Sequence, residues 1–298
     1  MSNWRDIELQ DAVSFLARNE LITAEEMLSL TIEKESKPVL EIETPFNAHG
    51  GVFSFRLGSV HLLGGYSGHG KTTLALQLAL YAMSKNYKVG IASMEMEAAD
   101  ITPMMVSMAG AVENPTQEYR HKITRAIGDR LDYWDAIDNQ SPEATIQFVI
   151  ETAKRGCQFI VLDNLMMVGD ITGESKDEKE FVAKLKVISA RYQVAILLCH
   201  HMRKPGLGGE SKPPGKEAFL GSSMMPNMCA TISVVHKNMD KSEAQSSGFE
   251  YDDAEPDYTY RVLKNRFSGY HGCVPLWAHP SRLMCTGSSR RARSMWPV

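Results

Sequence analysis

From Ser59 onward the chain alternates short apolar runs with longer amphipathic stretches: SVHLL at 59–63, VGIAS at 89–93, FIVLD at 159–163, VAILLC at 194–199 and TISVV at 231–235. Runs of this kind suit strands buried on both faces, and the helix-length segments between several of them supply crossovers. The pattern therefore predicts an α/β fold with a mostly parallel central sheet flanked by helices. A further run, YRVLKNRFSGYHG at 260–272, reads as a strand that turns at Ser268-Gly269, with Lys264 and Arg266 two apart and hence on one face.

Outside this rhythm the pattern changes. Residues 1–44 read as a separate helical segment: ELQDAVSFLARNELI has helical apolar spacing, and Thr23 to Glu26 forms a capping box that opens a second short helix. Lys37, Pro38 and Pro45 then mark an extended connector. The acidic stretch from Asp240 to Asp257 is expected to be a solvated loop between strands. The closing GSSRRARSMWPV is polar, basic and without periodicity, and is expected to fray. The expected organisation is a helical segment over 1–44, one α/β body over 45–285 and a basic flexible tail over 286–298.

Composition narrows the setting. An apolar share of 43% in 298 residues is enough for a large core, which excludes disorder throughout. The formal charge of −4 offers no global attraction to nucleic acid, so such a partner must be held by local basic patches. Five cysteines, widely spaced and without a C-x-x-C pair, point to a reducing cytosol and to no zinc ribbon. The opening MSNWRDIELQDAV lacks the apolar core of a secretory signal, and no run approaches the roughly 18 apolar residues of a membrane span, so a cytoplasmic protein without a membrane partner is expected.

The chemistry begins at Gly65. G-Y-S-G-H-G-K-T, residues 65–72, fits the phosphate-loop pattern G-x-x-x-x-G-K-[ST] and lies between strand SVHLL and helix TTLALQLALYAM, the context the pattern requires. Gly65, Gly68 and Gly70 let the backbone fold tightly, so that amides from Ser67, His69 and their neighbours point at phosphate oxygens; Thr73 follows in the first turn of the helix. Lys71 is expected to reach the β and γ phosphates of ATP, and Thr72 to hold Mg2+. FIVLDNL ends in Asp163 at the carboxyl edge of the sheet, the place for a second magnesium-holding group acting through water. IASMEME places Glu95 beyond the neighbouring strand, where a carboxylate can polarise attacking water; Glu97 is the competing candidate, because the loop need not stay extended.

The stretch ILLCHHMRKP raises a further question, since a strand that reads as buried ends in two histidines and two cations. Arg203, Lys204, Lys212 and Lys216 stand against Glu210 and Glu217 in a Gly/Pro-rich loop, a balance that suits salt-sensitive contact with a phosphate backbone.

Taken together, GGYSGHGKTT, ASMEM, FIVLDNL, GESKDEKEFVAKLKVISARYQVAILLCHHMRKP, Gly221-Ser222 and YRVLKNRFSGYHG resemble the RecA-like motor domain of hexameric replicative DNA helicases. The resemblance is to the phage primase-helicase and Twinkle type, with DnaB more distant, and it covers about residues 55 to 280. It implies a RecA-like P-loop domain using ATP or dTTP with Mg2+, a homo-oligomeric ring, single-stranded and forked DNA as track, and 5′–3′ polarity. It further implies a primase or polymerase of the same replisome as partner, in a bacterial or phage-infected cytoplasm. By the same resemblance Glu95 is the catalytic glutamate, His201 the γ-phosphate sensor, and Gly221 and Ser222 lie in the DNA-contacting loop. Lys264 and Arg266 would reach ATP held by the adjacent subunit. Leu220 departs from relatives that carry a basic residue there. A reading of another class is an ATP-dependent recombination mediator or helicase loader that binds DNA without processive unwinding.

Overall fold

A computed structural model describes residues 23–36, 38–46, 53–137, 140–169, 171, 175–204, 206, 211–221 and 225–296. Helix α1 (Ala24–Glu35) is followed by strands β1 (Glu41–Glu43), β2 (Ser54–Arg56) and β3 (Ser59–Gly65), then α2 (Lys71–Ser84), β4 (Val89–Ser93), α3 (Ala98–Gly110) and α4 (Gln117–Ile127). The chain continues through β5 (Leu131–Asp135), α5 (Pro142–Lys154), β6 (Phe159–Asp163), α6 (Ser175–Tyr192) and β7 (Ala195–His201). It ends with α7 (Met225–Met228), β8 (Thr231–Lys237), α8 (Met239–Ser247), β9 (Tyr258–Asn265), β10 (Gly272–Ala278) and β11 (Met284–Cys285).

Among the described residues nine strands form one sheet in the order β11-β10-β9-β8-β3-β7-β6-β4-β5. Strands β3 to β8 pair in parallel, as the uninterrupted apolar runs of all but β5 predict, and β9 to β11 add an antiparallel edge. The sheet separates two cores. One joins α2, α3 and α4 to Leu63, Leu197 and Cys199; the other joins α5 and α6 to Val60, Leu62, Ile196 and Leu198. Alternate residues of β7 thus serve opposite faces, which decides where its two histidines point.

Three expectations change, and one strand is unannounced. Strand β1 pairs with β2, so the body starts by Glu41 rather than at residue 45. The LDYWD strand β5, whose residues are only partly covered, carries too mixed a pattern to announce itself. The acidic stretch is no simple loop: Asn238 accepts from Lys241 N at 3.1 Å and starts α8, and the buried Lys241 ammonium sits 3.0 Å from Asp257 Oδ1. The tail expected to fray lies on the body. Arg290 grips Asp253 through two bonds of 2.6 and 3.1 Å, Met295 N donates to Ala109 O at 2.8 Å, and Met295 and Trp296 pack on the core. Apolar tail ends and a fixed acidic partner give this basic segment somewhere to bind.

The capping box forms as expected, Thr23 N donating to Glu26 Oε2 at 2.7 Å and Glu26 N to Thr23 Oγ1 at 3.2 Å. Beyond it, Met27, Leu28, Leu30 and Ile32 of α1 are all exposed. The helix expected over residues 8–22 lies outside the described residues. Among the described residues no helix is long and apolar enough to cross a membrane, and the five cysteines are free thiols.

Candidate active site

The phosphate loop follows the carboxyl end of β3, between β8 and β7, at the sheet edge where parallel α/β proteins gather their ligands. Gly70 immediately precedes α2 at φ 84°, and a Cβ there would lie 2.7 Å from Met284 Cε, so only glycine fits the turn into the helix. Helix α2 begins at Lys71 and directs its unpaired amides at the loop. The His69 ring turns the other way: its Nδ1 accepts from Lys237 N at 3.0 Å and pins the loop to the end of β8, while Ser67 and Gly68 are exposed at the tip.

Around the loop the candidate groups converge. Lys71, Asp163 and Asn164 are buried, and Lys71 Nζ donates to Tyr66 O at 3.2 Å and to His201 Nδ1 at 3.0 Å. An ammonium can only donate, so Nδ1 accepts and His201 carries its proton on Nε2, which donates to Glu95 Oε1 at 2.9 Å. Asn164 Nδ2 also donates to Glu95 Oε1 and lies 3.0 Å from His201 Nε2. Thr72 Oγ1 donates to Asp163 Oδ2 at 2.6 Å. The hydrogen bond from His201, with lesser help from Lys71 and Asn164, holds the Glu95 carboxyl below the usual carboxylate range, so it stays an acceptor. Burial pushes the Lys71 ammonium down and the Asp163 carboxyl up. Glu97 stands apart, exposed at the start of α3 with no capping bond from its side chain.

The residues fit a magnesium-nucleotide. Asp163 Oδ1 is buried without a hydrogen-bond partner, and Thr72 Oγ1 and the Asp163 carboxylate are hard oxygen donors. Among the described residues no group of three or more His, Cys, Asp or Glu could hold a metal by itself. Thr73 follows Thr72 on α2, half-covered.

Three predicted groups lie elsewhere. Arg203 and Lys204 leave the end of β7 exposed, and the chain returns antiparallel to it: Arg203 N donates to Ala218 O at 2.6 Å, Leu220 N to His201 O at 3.3 Å, and Met202 bridges Phe219. The described flanks of the basic loop therefore form a hairpin stem rooted in the strand that carries His201, with exposed Lys212 and Lys216 on the returning flank. Gly221 ends that return; Ser222 lies outside the described residues.

Lys264 and Arg266 do point one way, but at the opposite end of the sheet. Asn265 is paired with Thr231, Arg266 N donates to Ala230 O, and Ala230 N donates to Val60 O, so Arg266 lies beside the first residues of β3. From Val60 to Gly65 the strand runs roughly 16 Å. All three hydrogens of the Lys264 ammonium face carbonyls, those of Pro226, Asn227 and Cys229 at 3.0, 3.1 and 2.9 Å. Arg266 Nη2 donates to Asn227 O as well. Both cations are thus held against the carbonyls of the 226–229 segment.

Sequence reading gave no role to Asn164 or Glu178. Asn164 could have been found by its place directly after the strand-end aspartate; Glu178 had no local signal.

Solved structures share this fold. One, an ATPase domain, matches 90% of this chain and 99% of its own, with a TM-score of 0.69 at 15% identity. A DnaB-like replicative helicase, solved with regard to its interactions with primase, matches 93% of this chain and 71% of its own at a TM-score of 0.69 and 16% identity. A KaiC-like protein from the hyperthermophilic archaea Pyrococcus horikoshii OT3 matches 82% of this chain and 97% of its own at 0.55 and 17%. The fold is the RecA-like one of helicase motor domains. From β2 through the phosphate loop and Asp163 to the start of the basic hairpin, residues 54–206 match the family described as AAA domain, and the chain belongs to that family.

Proposed function

We propose that this P-loop ATPase is a motor that moves along single-stranded DNA and separates a forked duplex, cleaving each ATP between two copies of the chain. The observation that carries the reading is the position of Arg266. It sits at the amino ends of the strands, roughly 16 Å along β3 from its own phosphate loop, so it serves a nucleotide only if that nucleotide belongs to a neighbour. A ring of copies, six by resemblance, supplies that neighbour at every site. The exposed apolar residues of α1 suit the same assembly, resting on an adjacent copy.

Within one site, the loop amides and Lys71 hold the ATP or dTTP phosphates, and Thr72 and Asp163 hold Mg2+. Bound there, the ion neutralises charge growing on the phosphate oxygens. Glu95, kept ionised by His201, accepts a proton from the attacking water. His201 faces the γ phosphate, and because its carbonyl receives Leu220 N, a shift at the phosphate moves the root of the basic hairpin. Arg203, Lys204, Lys212 and Lys216 grip the polynucleotide backbone, with cytoplasmic replication partners, primase or polymerase, beyond it.

The test combines sizing with a non-hydrolysable ATP analogue and single-stranded DNA with an assay on a forked duplex. A ring-sized particle that unwinds the fork in the 5′–3′ direction is expected. A chain that stays single while hydrolysing ATP at full rate overturns the inter-subunit site. Hydrolysis stimulated by DNA that leaves the strands paired replaces the motor with a loader or mediator.

A further inference from the structure

The two histidines at the end of β7 divide their work by face. His201 belongs to the ATP side. His200, fully buried, points to the α6 side, where its Nε2 lies 3.2 Å from Glu178 Oε1, and Glu178 is itself buried. His200 Nδ1 donates to His201 O at 2.7 Å, the same carbonyl that accepts from Leu220 N. A carbonyl only accepts, so Nδ1 carries a proton, and the contact to Glu178 needs a second one shared between ring and carboxyl. A carboxylate at this place binds a protonated ring, and a carboxylic acid donates to a neutral one; either way the pair is bonded.

Glu178 also meets the far root of the hairpin. Gly221 lies at φ 77°, and a Cβ on it would fall 2.5 Å from Glu178 Oε2 and 2.6 Å from Oε1, so its backbone is seated against the carboxyl. Between the two roots the Phe219 ring lies 6.0 Å from that of His200. One buried side chain therefore touches the strand that presents His201 and the residue where the basic hairpin rejoins the body.

We infer that Glu178, through His200, is a positioning residue that makes the nucleotide-facing end of β7 and the basic hairpin move as one unit, so that it sets how strongly polynucleotide and ATP hydrolysis are coupled. This rests on the motor reading above and adds to it a residue that touches neither substrate. With the pair broken, His201 and the hairpin can move separately; ATP is still held and cleaved, but the polynucleotide no longer speeds cleavage.

The experiment measures ATP turnover of the full chain with and without single-stranded DNA for the wild type, Glu178→Ala and Glu178→Gln, with thermal melting of each. Glu178→Ala is expected to lose about tenfold of the DNA stimulation, the size of an ordinary coupling between sites, while DNA-free turnover and the ATP KM stay within about twofold. Glu178→Gln, whose amide donates to His200 Nε2, is expected to recover most of it. His200→Leu, which keeps the volume and removes both bonds, gives the same loss and serves should Glu178→Ala not fold. Full stimulation in Glu178→Ala or His200→Leu overturns the inference and leaves the motor intact. Equal loss with and without DNA, unrescued by glutamine, also overturns it, since that is the mark of a merely structural role. Wild-type hydrolysis indifferent to polynucleotide overturns the motor reading and this inference with it.

Discussion

The two ends of the sheet treat their charges differently. At the carboxyl ends Lys71, His201 and Glu95 form one hydrogen-bonded chain, and the Lys71 charge also acts on the neighbouring Asp163, so cation and carboxylate offset each other. At the amino ends Lys264 and Arg266 give their hydrogens to backbone carbonyls, and among the described residues neither has a carboxylate partner. Carbonyl dipoles orient a cation without cancelling its charge, so one end is a complete binding site and the other a surplus of positive charge. Arg266 also lines a cavity of about 620 Å³ with Arg56, Gly58, Ser59, Gln193 and Phe267, open to whatever packs on that edge. A surplus at one end and a phosphate site at the other are complementary only between copies.

The comparison breaks most visibly at Arg266. Arg266→Ala is expected to bind ATP normally and to lose about 10³-fold of DNA-stimulated turnover, the scale of an arginine that stabilises transferred phosphate. Mixing decides whether the arginine acts across copies. Glu95→Gln protein keeps its arginine but has a disabled site, so adding it to Arg266→Ala protein should restore part of the activity. Steady-state hydrolysis across mixing ratios reads this, and strict additivity of the two residual rates would place Arg266 in its own site after all.

A smaller effect sharpens the carboxyl end. Asn164→Ala removes one of the two donors to Glu95 and a contact of His201. A loosened catalytic group costs about ten- to a hundredfold in turnover, with the ATP KM expected to hold. Because Asn164 helps keep the Glu95 carboxyl low, the acid limb of the pH–turnover profile should move to higher pH in the variant. An unmoved limb would mean that Asn164 does not act through Glu95.

How much of this was legible follows from how local each signal is. The phosphate loop, Asp163 and the parallel strands are written in contiguous residues, because a buried strand needs an unbroken apolar run and a phosphate cradle needs fixed glycine spacing. Lys264 and Arg266 were legible as one face, since alternation in a strand is local, but not as facing the 226–229 carbonyls, which arrive from a distant part of the chain. Glu178 was silent for the same reason, its partner being 22 residues distant; Asn164 had a local cue in its place directly after Asp163, but its partners, 37 and 69 residues distant, had none. The acidic stretch misled because Lys241 offsets its charge only once a helix turns that side chain inward against Asp257. The tail misled because its anchors, Ala109 and Asp253, belong to other parts of the chain.

The gentlest test of the comparison is the cost of holding positive charge at the amino end. Burial first, then the neighbouring Arg266, push the Lys264 ammonium down to about 8 from the usual lysine value near 10.5. Between these two values the unfolded chain binds the proton and the folded chain has released it, so the unfolded state carries more protons and folding stability rises with pH across that window. Below about 8 both states are charged and the folded state bears the full penalty; above about 10.5 the relief is complete. Because Lys264 is largely solvent-screened, the expected rise is small. It should show as an upward slope in the melting temperature from about pH 8 to 10.5 that Lys264→Met flattens. A slope that falls instead, or that survives the substitution, would mean that the carbonyls of Pro226, Asn227 and Cys229 repay the charge in full, and the amino end would no longer be a surplus that needs a neighbour's phosphate.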